Sequence, residues 1–232
     1  MFLEIRELKK SFGAGEARVE VLRGIDLGVE KGEIVVLLGP SGSGKSTLLN
    51  IVGGIDAADS GTIVIGGEKM ENMDEKRLTQ YRRRHLGYVF QLYNLIPDLT
   101  VRENVEVGAW LGENPLQVDE LLGTLGLSEH ADKLPTQLSG GQQQRTAIGR
   151  AIVKNPDVLL CDESTGALDY NTSKDILRLI ETVNRRYGTT VIIVTHNEAI
   201  SGMADRVIKL RDGVIKSSSA NAAKIPAAEL EW

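Results

Sequence analysis

The stretch Gly39-Pro40-Ser41-Gly42-Ser43-Gly44-Lys45-Ser46-Thr47 constrains the fold more than any other part of the chain. It fits the spacing G-x-x-x-x-G-K-[ST], which makes physical sense only where a buried strand feeds a helix through a tight turn. Both neighbours are present. Ile34-Val35-Val36-Leu37-Leu38 is an unbroken aliphatic run, as in a strand covered on both faces, and Leu48, Leu49 and Val52 then recur at helical spacing. Between them the glycines let the backbone curl until successive N–H groups and the start of the helix point at one polyphosphate. Lys45 is then placed to reach β- and γ-phosphates, and the Ser46 hydroxyl to ligate Mg²⁺. What the nucleotide is used for has to come from other segments.

The bulk properties narrow the choices. With 232 residues the chain is long enough for a full core, and its formal charge of −5 argues against a general nucleic-acid binder. The single cysteine, Cys161, allows no internal disulfide and suits a reducing compartment. The N-terminus lacks the layout of a secretion signal, and no apolar run approaches the ~18 to 20 residues that cross a bilayer, so any membrane role needs a partner chain.

Read in order, the chain predicts an α/β fold: a P-loop core with a mostly parallel sheet, an N-terminal antiparallel β layer and an inserted helical lobe. Leu3 and Ile5 alternate with Glu4 and Arg6, and a second alternating run carries Val19, Val21, Ile25, Leu27 and Val29. Phe12 closes the first strand; by residue type alone it reads as packing rather than base-stacking. Residues 74–86 form a charged helix whose Arg82-Arg83-Arg84 reads as a solvated face. After the strand Gly87–Phe90 come an apolar loop, Leu92–Thr100, and two helices near 101–111 and 116–125, so that about 86–155 reads as the lobe. The core resumes with Asp157–Glu163, a helix from Asp169 to Tyr187 and the buried run Thr190–Val194. The domain is expected to end near residue 216, with 217–232 a poorly ordered tail in which Leu230 and Trp232 are candidates for docking.

Two further segments carry chemistry. Val158-Leu159-Leu160-Cys161 ends in Asp162 and Glu163, the form of a Walker B strand: Asp162 for the Mg²⁺ shell, Glu163 for the attacking water. Leu138-Ser139-Gly140-Gly141-Gln142 opens another helix with bare N–H groups and a hydroxyl, a second anion site in a chain that already has one. The simplest resolution is that it serves the nucleotide of another copy.

In these segments the sequence resembles the ATP-binding cassette family over roughly residues 2–216. The resemblance implies an ATPase that uses ATP and Mg²⁺, and a head-to-tail homodimer that sandwiches two ATP molecules. Each would lie between one subunit's Gly39–Thr47 and the other's Ser139–Gln142. It makes Phe12 the aromatic that stacks on adenine, reversing the residue-only reading. Gln91 becomes a catalytic sensor of Mg²⁺ and water, Asp169 in Gly166-Ala167-Leu168-Asp169 a bridge between subunits, and His196 a catalytic contact to γ-phosphate. Ser164 stands where many members have proline, which implies a slightly looser turn.

Tyr81–Arg84, Tyr88–Pro97 and Cys161–Asp169 are similar to the bacterial subgroup of macrolide exporters, lipoprotein-releasing systems and antimicrobial-peptide resistance transporters. That similarity implies a peripheral protein on the cytoplasmic face of the membrane. It would drive a separate transmembrane permease by mechanotransmission, gripped near Leu92–Leu99. An ATPase of a non-transporting membrane complex, as in cell division, stays open at this stage. A soluble repair or translation cassette and a P-loop kinase fit less of the chain.

Overall fold

Strands without a polar face have to be covered on both sides, and two such strands set the centre of this molecule. In the computed structural model, which describes residues 1–71, 73–166 and 168–232, every residue of Ile34–Leu38 and of Thr190–Thr195 is buried. The chain runs β1 (Leu3–Phe12), β2 (Val19–Val29), β3 (Ile34–Leu38), α1 (Lys45–Val52), β4 (Ser60–Ile65), β5 (Glu68–Lys69), α2 (Glu75–His85) and β6 (Leu86–Val89). It continues through α3 (Val101–Ala109), α4 (Val118–Thr124), α5 (Gly140–Ile152), β7 (Val158–Asp162), α6 (Tyr170–Tyr187), β8 (Thr190–Thr195), β9 (Arg206–Arg211) and β10 (Val214–Ala220).

One sheet has the order β10-β9-β3-β8-β7-β6, parallel except for β10, which returns antiparallel beside β9. Alternation along β3 divides the core. Ile34, Val36 and Leu38 join a cluster with α5, α6 and the helical lobe, while Val35 and Leu37 join one with α1 and the second sheet. That second sheet, β2-β1-β4-β5, is antiparallel and turns Leu3, Ile5 and Leu8 inward. The α/β class and the N-terminal antiparallel layer are as the sequence predicts.

Two boundaries differ. The strand expected at 87–90 is β6, and its register Leu86↔Val158 to Val89↔Cys161 makes it the edge of the main sheet, so the first residues of the expected 86–155 lobe belong to the core. The tail departs further from expectation. β10 continues to Ala220, a 3-10 turn forms at Ala227–Glu229, and Ala227 and Leu230 are buried. Composition pointed to disorder because Ser, Ala and Asn offer little to bury. Here two apolar side chains and a series of backbone hydrogen bonds do the holding. In the basic triplet, Arg82 is not simply solvated: its guanidinium donates to Gly54 O at 2.7 Å, while Arg83 and Arg84 are exposed.

The apolar loop before α3 is held from inside by one residue. Asn104 is fully buried; its Oδ1 accepts from Ile96 N–H at 2.9 Å, and its Nδ2 donates to Ile96 O, Leu99 O and Thr100 O at 3.1, 2.9 and 3.0 Å. Asn104→Ala removes these partners from buried backbone groups and is expected to cost about 2–3 kcal/mol in urea unfolding. A loss under about 0.5 kcal/mol would show that packing alone fixes the loop.

Candidate nucleotide site

Parallel strands deliver their C-terminal ends to one edge, and the register makes that edge compact. Leu38 pairs with Thr195, and Asp162 with Val194, so the turns after β3, β7 and β8 leave side by side. The turn after β3 enters α1 through Gly44 at φ +101, a left-handed position where a Cβ would stand 2.8 Å from Leu22. No side chain caps α1, so its first N–H groups stay free for an anion. Lys45 is nearly buried and folds back, its Nζ donating to Gly39 O at 2.8 Å and Pro40 O at 2.9 Å. Ser41, Gly42 and Ser46 are exposed, Thr47 is half-buried, and the enclosed Ser43 hydroxyl has no partner among the described residues.

Across the sheet edge, Ser46 Oγ donates to Asp162 Oδ1 at 3.1 Å. Asp162 is half-buried, and burial pushes its carboxyl above the usual carboxylate range; the Ser46 hydrogen bond and Lys45 pull it back, and Glu163 adds to the upward shift. Glu163 follows with a left-handed backbone, φ +44, costing about 1–2 kcal/mol for a residue with a side chain. Two hydrogen bonds hold it there, Glu163 N–H to Val194 O at 3.0 Å and Gly166 N–H to Glu163 O at 2.9 Å. Its Oε1 lies 3.4 Å from His196 Nδ1. Ser164, where a proline ring is lacking, is buried. Ala167, in the segment tied by resemblance to the subunit bridge, lies outside the described residues, as does Asn72.

The remaining positions fall into two places. Gln91 is exposed just beyond β6, past Phe90, whose ring stacks 4.2 Å from that of Tyr88; the Tyr88 hydroxyl donates to Asn50 on α1 at 2.8 Å. Nothing local in the sequence marks the Tyr88–Asn50 contact. Phe12, at the far end of β1, is 45% exposed with Lys10 Nζ 4.9 Å from its ring centre, so it is not the buried packing residue that its type suggests.

Ser139, Gly140, Gly141 and Gln142 lie elsewhere. Ser139 and Gln142 form a reciprocal cap on α5, Ser139 N–H to Gln142 Oε1 at 2.9 Å and Gln142 N–H to Ser139 Oγ at 3.3 Å. Gly141 sits hard against α6, where a Cβ would stand 2.5 Å from Thr172. Asp169 caps α6 through Thr172, whose hydroxyl donates at 2.6 Å and holds the Asp169 carboxyl below its ordinary range. Among the described residues no hydrogen bond joins Ser139–Gln142 to Gly39–Thr47.

The donor set fits a magnesium nucleotide. Mg²⁺ is usually held by one or two protein oxygens plus substrate phosphates and water, and Ser46 with Asp162 offers that pair. No cluster of three or more His, Cys, Asp or Glu side chains suited to a metal occurs among the described residues.

A family model for ABC transporters matches residues 22–166. The chain is 46% identical over 233 residues to the ABC transporter ATP-binding protein MG065 homolog of Mycoplasma pneumoniae, covering 99% of this chain and 50% of that protein. It is 46% identical over 218 residues to the macrolide export ATP-binding/permease protein MacB of Shigella flexneri, covering 92% of this chain and 34% of that one. The chain thus spans about half the length of the first relative and about a third of the second. A solved dimeric, post-hydrolysis structure of the ATP-binding cassette MJ0796, bound to ADP and Pi, matches with a TM-score of 0.85 and 37% identity, over 94% of this chain and 98% of that one.

The desolvation of Asp162 has a measurable sign. A carboxyl whose folded pKa is raised binds more protons folded than unfolded, so it weakens the fold as pH rises from its unfolded value, about 3.9, through its folded value. Asp162→Asn keeps an acceptor for Ser46 and removes the buried charge. It is expected to unfold at a higher temperature than wild type at pH 7.5, with the gain shrinking toward zero as pH falls to about 4. A lower melting temperature at pH 7.5 would mean that the charge stabilises the nucleotide-free fold.

Proposed function

The chain belongs to the ABC transporter family, as an ATP-binding and ATP-hydrolysing domain, and from that premise we propose that it closes on ATP as a head-to-tail pair to drive a membrane permease. The observation that carries the reading is the placement of two phosphate-type sites on different elements of one chain. Gly39–Thr47 opens α1 from β3, whereas Ser139 caps α5, which packs on α3, α6 and β6. A second copy, turned head to tail, supplies what each site lacks.

In this proposal the free N–H groups of α1 and Lys45 bind the phosphates, and Lys45 exchanges its two carbonyl partners for charged oxygens. Ser46 and Asp162 would hold Mg²⁺, which would supply positive charge against the phosphates. Glu163 orients and deprotonates the attacking water, and His196, 3.4 Å away, steadies the γ-phosphate side. Phe12 stacks on adenine, Gln91 links the Mg²⁺ region to the partner-facing loop, and Asp169 bridges the pair. Ser139, with Gly140, Gly141 and Gln142, meets the partner's γ-phosphate.

Among the described residues no helix is long and apolar enough to cross a membrane, so the force is proposed to pass to a permease. Leu92, 74% exposed, and Ile96 present apolar surface on the loop next to the lobe, a fit for a permease segment at the cytoplasmic face. The relatives named for macrolide export favour the mechanotransmission subgroup and export.

Glu163→Gln tests this directly. It is expected to bind ATP with near-normal affinity, to lose at least about 100-fold in kcat, and to run as a dimer in ATP and Mg²⁺ by light scattering. A monomer at saturating ATP, or ordinary turnover, would overturn the proposal.

A further inference from the structure

The docked segment after β10 brings Trp232 beside the proposed hydrolytic groups. Asn221 anchors its start: the side-chain amide donates to Ser201 O and Ala204 O, both at 2.8 Å, and its N–H donates to Asp205 O at 2.9 Å. Lys224 Nζ meets Asp205 Oδ1 at 2.7 Å, and Asp205 Oδ2 accepts Ile34 N–H at 2.8 Å, so one carboxylate ties the tail to the strand that feeds the P-loop. Ile225 N–H donates to Gly202 O at 2.8 Å, and Ala227 and Leu230 are buried. These contacts fix the path as far as Leu230.

Trp232 lies beyond what that anchoring needs. Its ring centre is 4.9 Å from that of Tyr170, tilted by 59°, and the Tyr170 hydroxyl donates to Leu230 O at 3.3 Å. Tyr170 is the first residue of α6, directly after the capping Asp169. Trp232 also lines a cavity of about 160 Å³ together with Glu163, Leu168, His196 and Asn197. At 42% exposed it buries too little to be mainly a core residue.

We infer that Trp232 is a positioning residue for ATP hydrolysis: with Tyr170 it fixes the first turn of α6, and it walls the groove where Glu163 and His196 face each other. The inference rests on the ATPase reading of that groove. Through Tyr170 the ring bears on Asp169, and through the wall it limits the room in which Glu163 and His196 move. Loss of the ring misplaces groups that act in the transition state and leaves ATP binding at Gly39–Thr47 largely intact.

The test uses Trp232→Ala and Trp232→Phe in the 232-residue chain, with steady-state ATP hydrolysis and thermal unfolding. Trp232→Ala is expected to lower kcat by roughly tenfold or more, with KM for ATP and the melting temperature near wild type. Trp232→Phe, which keeps a ring against Tyr170, should recover most of the rate. Unchanged kcat in Trp232→Ala, or kcat, KM and melting temperature all deteriorating together, would overturn the positioning role. The chain has two tryptophans, so Trp110→Phe leaves Trp232 as the sole reporter. Combined with Glu163→Gln, its emission should shift when ATP and Mg²⁺ are added; a dimer that forms with no change in emission counts against the inference. No ATP-dependent dimer at all would instead sink the closing-pair reading, while the kcat comparison still decides the role of Trp232.

Discussion

A helix start without a cap is a local fault unless something fills it, and this fold is arranged around one such start. Its first N–H groups have no partner within the helix, and an oxygen normally supplies one. Thr100, Ser139 and Asp169 do so for α3, α5 and α6. α1 and α4 both start without a side-chain cap, and of the two only α1 opens from a left-handed glycine, Gly44. The turn that produces this gap also brings Lys45 back over the loop, tied to two neutral carbonyls. Phosphate oxygens make stronger partners than carbonyls for an ammonium, because both sides then carry charge. In the proposed function the empty cap and the folded lysine are therefore two parts of one anion receptor.

The sheet turns that receptor into a candidate for catalysis. Only parallel strands bring the end of β7 level with the ends of β3 and β8, and the pairing Asp162↔Val194 leaves Ser46 within reach of Asp162. The arrangement has a stability cost at both carboxylates. Burial raises the Asp162 carboxyl, and Glu163 sits in a left-handed backbone that side chains disfavour. Neither feature helps the nucleotide-free fold. Both place a carboxylate where a metal nucleotide would meet it, which is the usual relation between local strain and a functional edge.

Legibility in the sequence followed how local each determinant is. β3, β7 and β8 are continuous apolar runs bounded by turns, and the P-loop spacing names its own context, so both could be read residue by residue. Ser139 and Gln142 stand at the spacing of a capping box, a local signal that the reading of this segment as bare N–H groups passed over. The tail was misread because its order comes from partners far along the chain: Asp205 for Lys224, Gly202 for Ile225, Tyr170 for Trp232. β6 was recognised as a strand, but its place in the main sheet depends on pairing with β7, which no local pattern encodes. The half-exposed ring of Phe12 and the contact between His196 and Glu163 are also products of register and chain path.

The cap on α5 bears on why a second copy is proposed to matter. Ser139 accepts the Gln142 N–H with an oxygen lone pair, and its own hydroxyl hydrogen has no acceptor among the described residues. The residue thus closes its helix and still has a donor to offer. That donor and the glycine N–H groups beside it are few, and Gly141 is buried against α6, so alone they hold phosphate weakly. The P-loop is better supplied, yet its bound phosphate would keep an uncovered side. Two weak or incomplete receptors that share one γ-phosphate gain most when both engage at once and water leaves between them. Loss of the γ-phosphate removes the shared ligand. On this reading, the state of the nucleotide controls the pairing of the subunits through the number of donors that phosphate can satisfy, without any change in the fold of either chain.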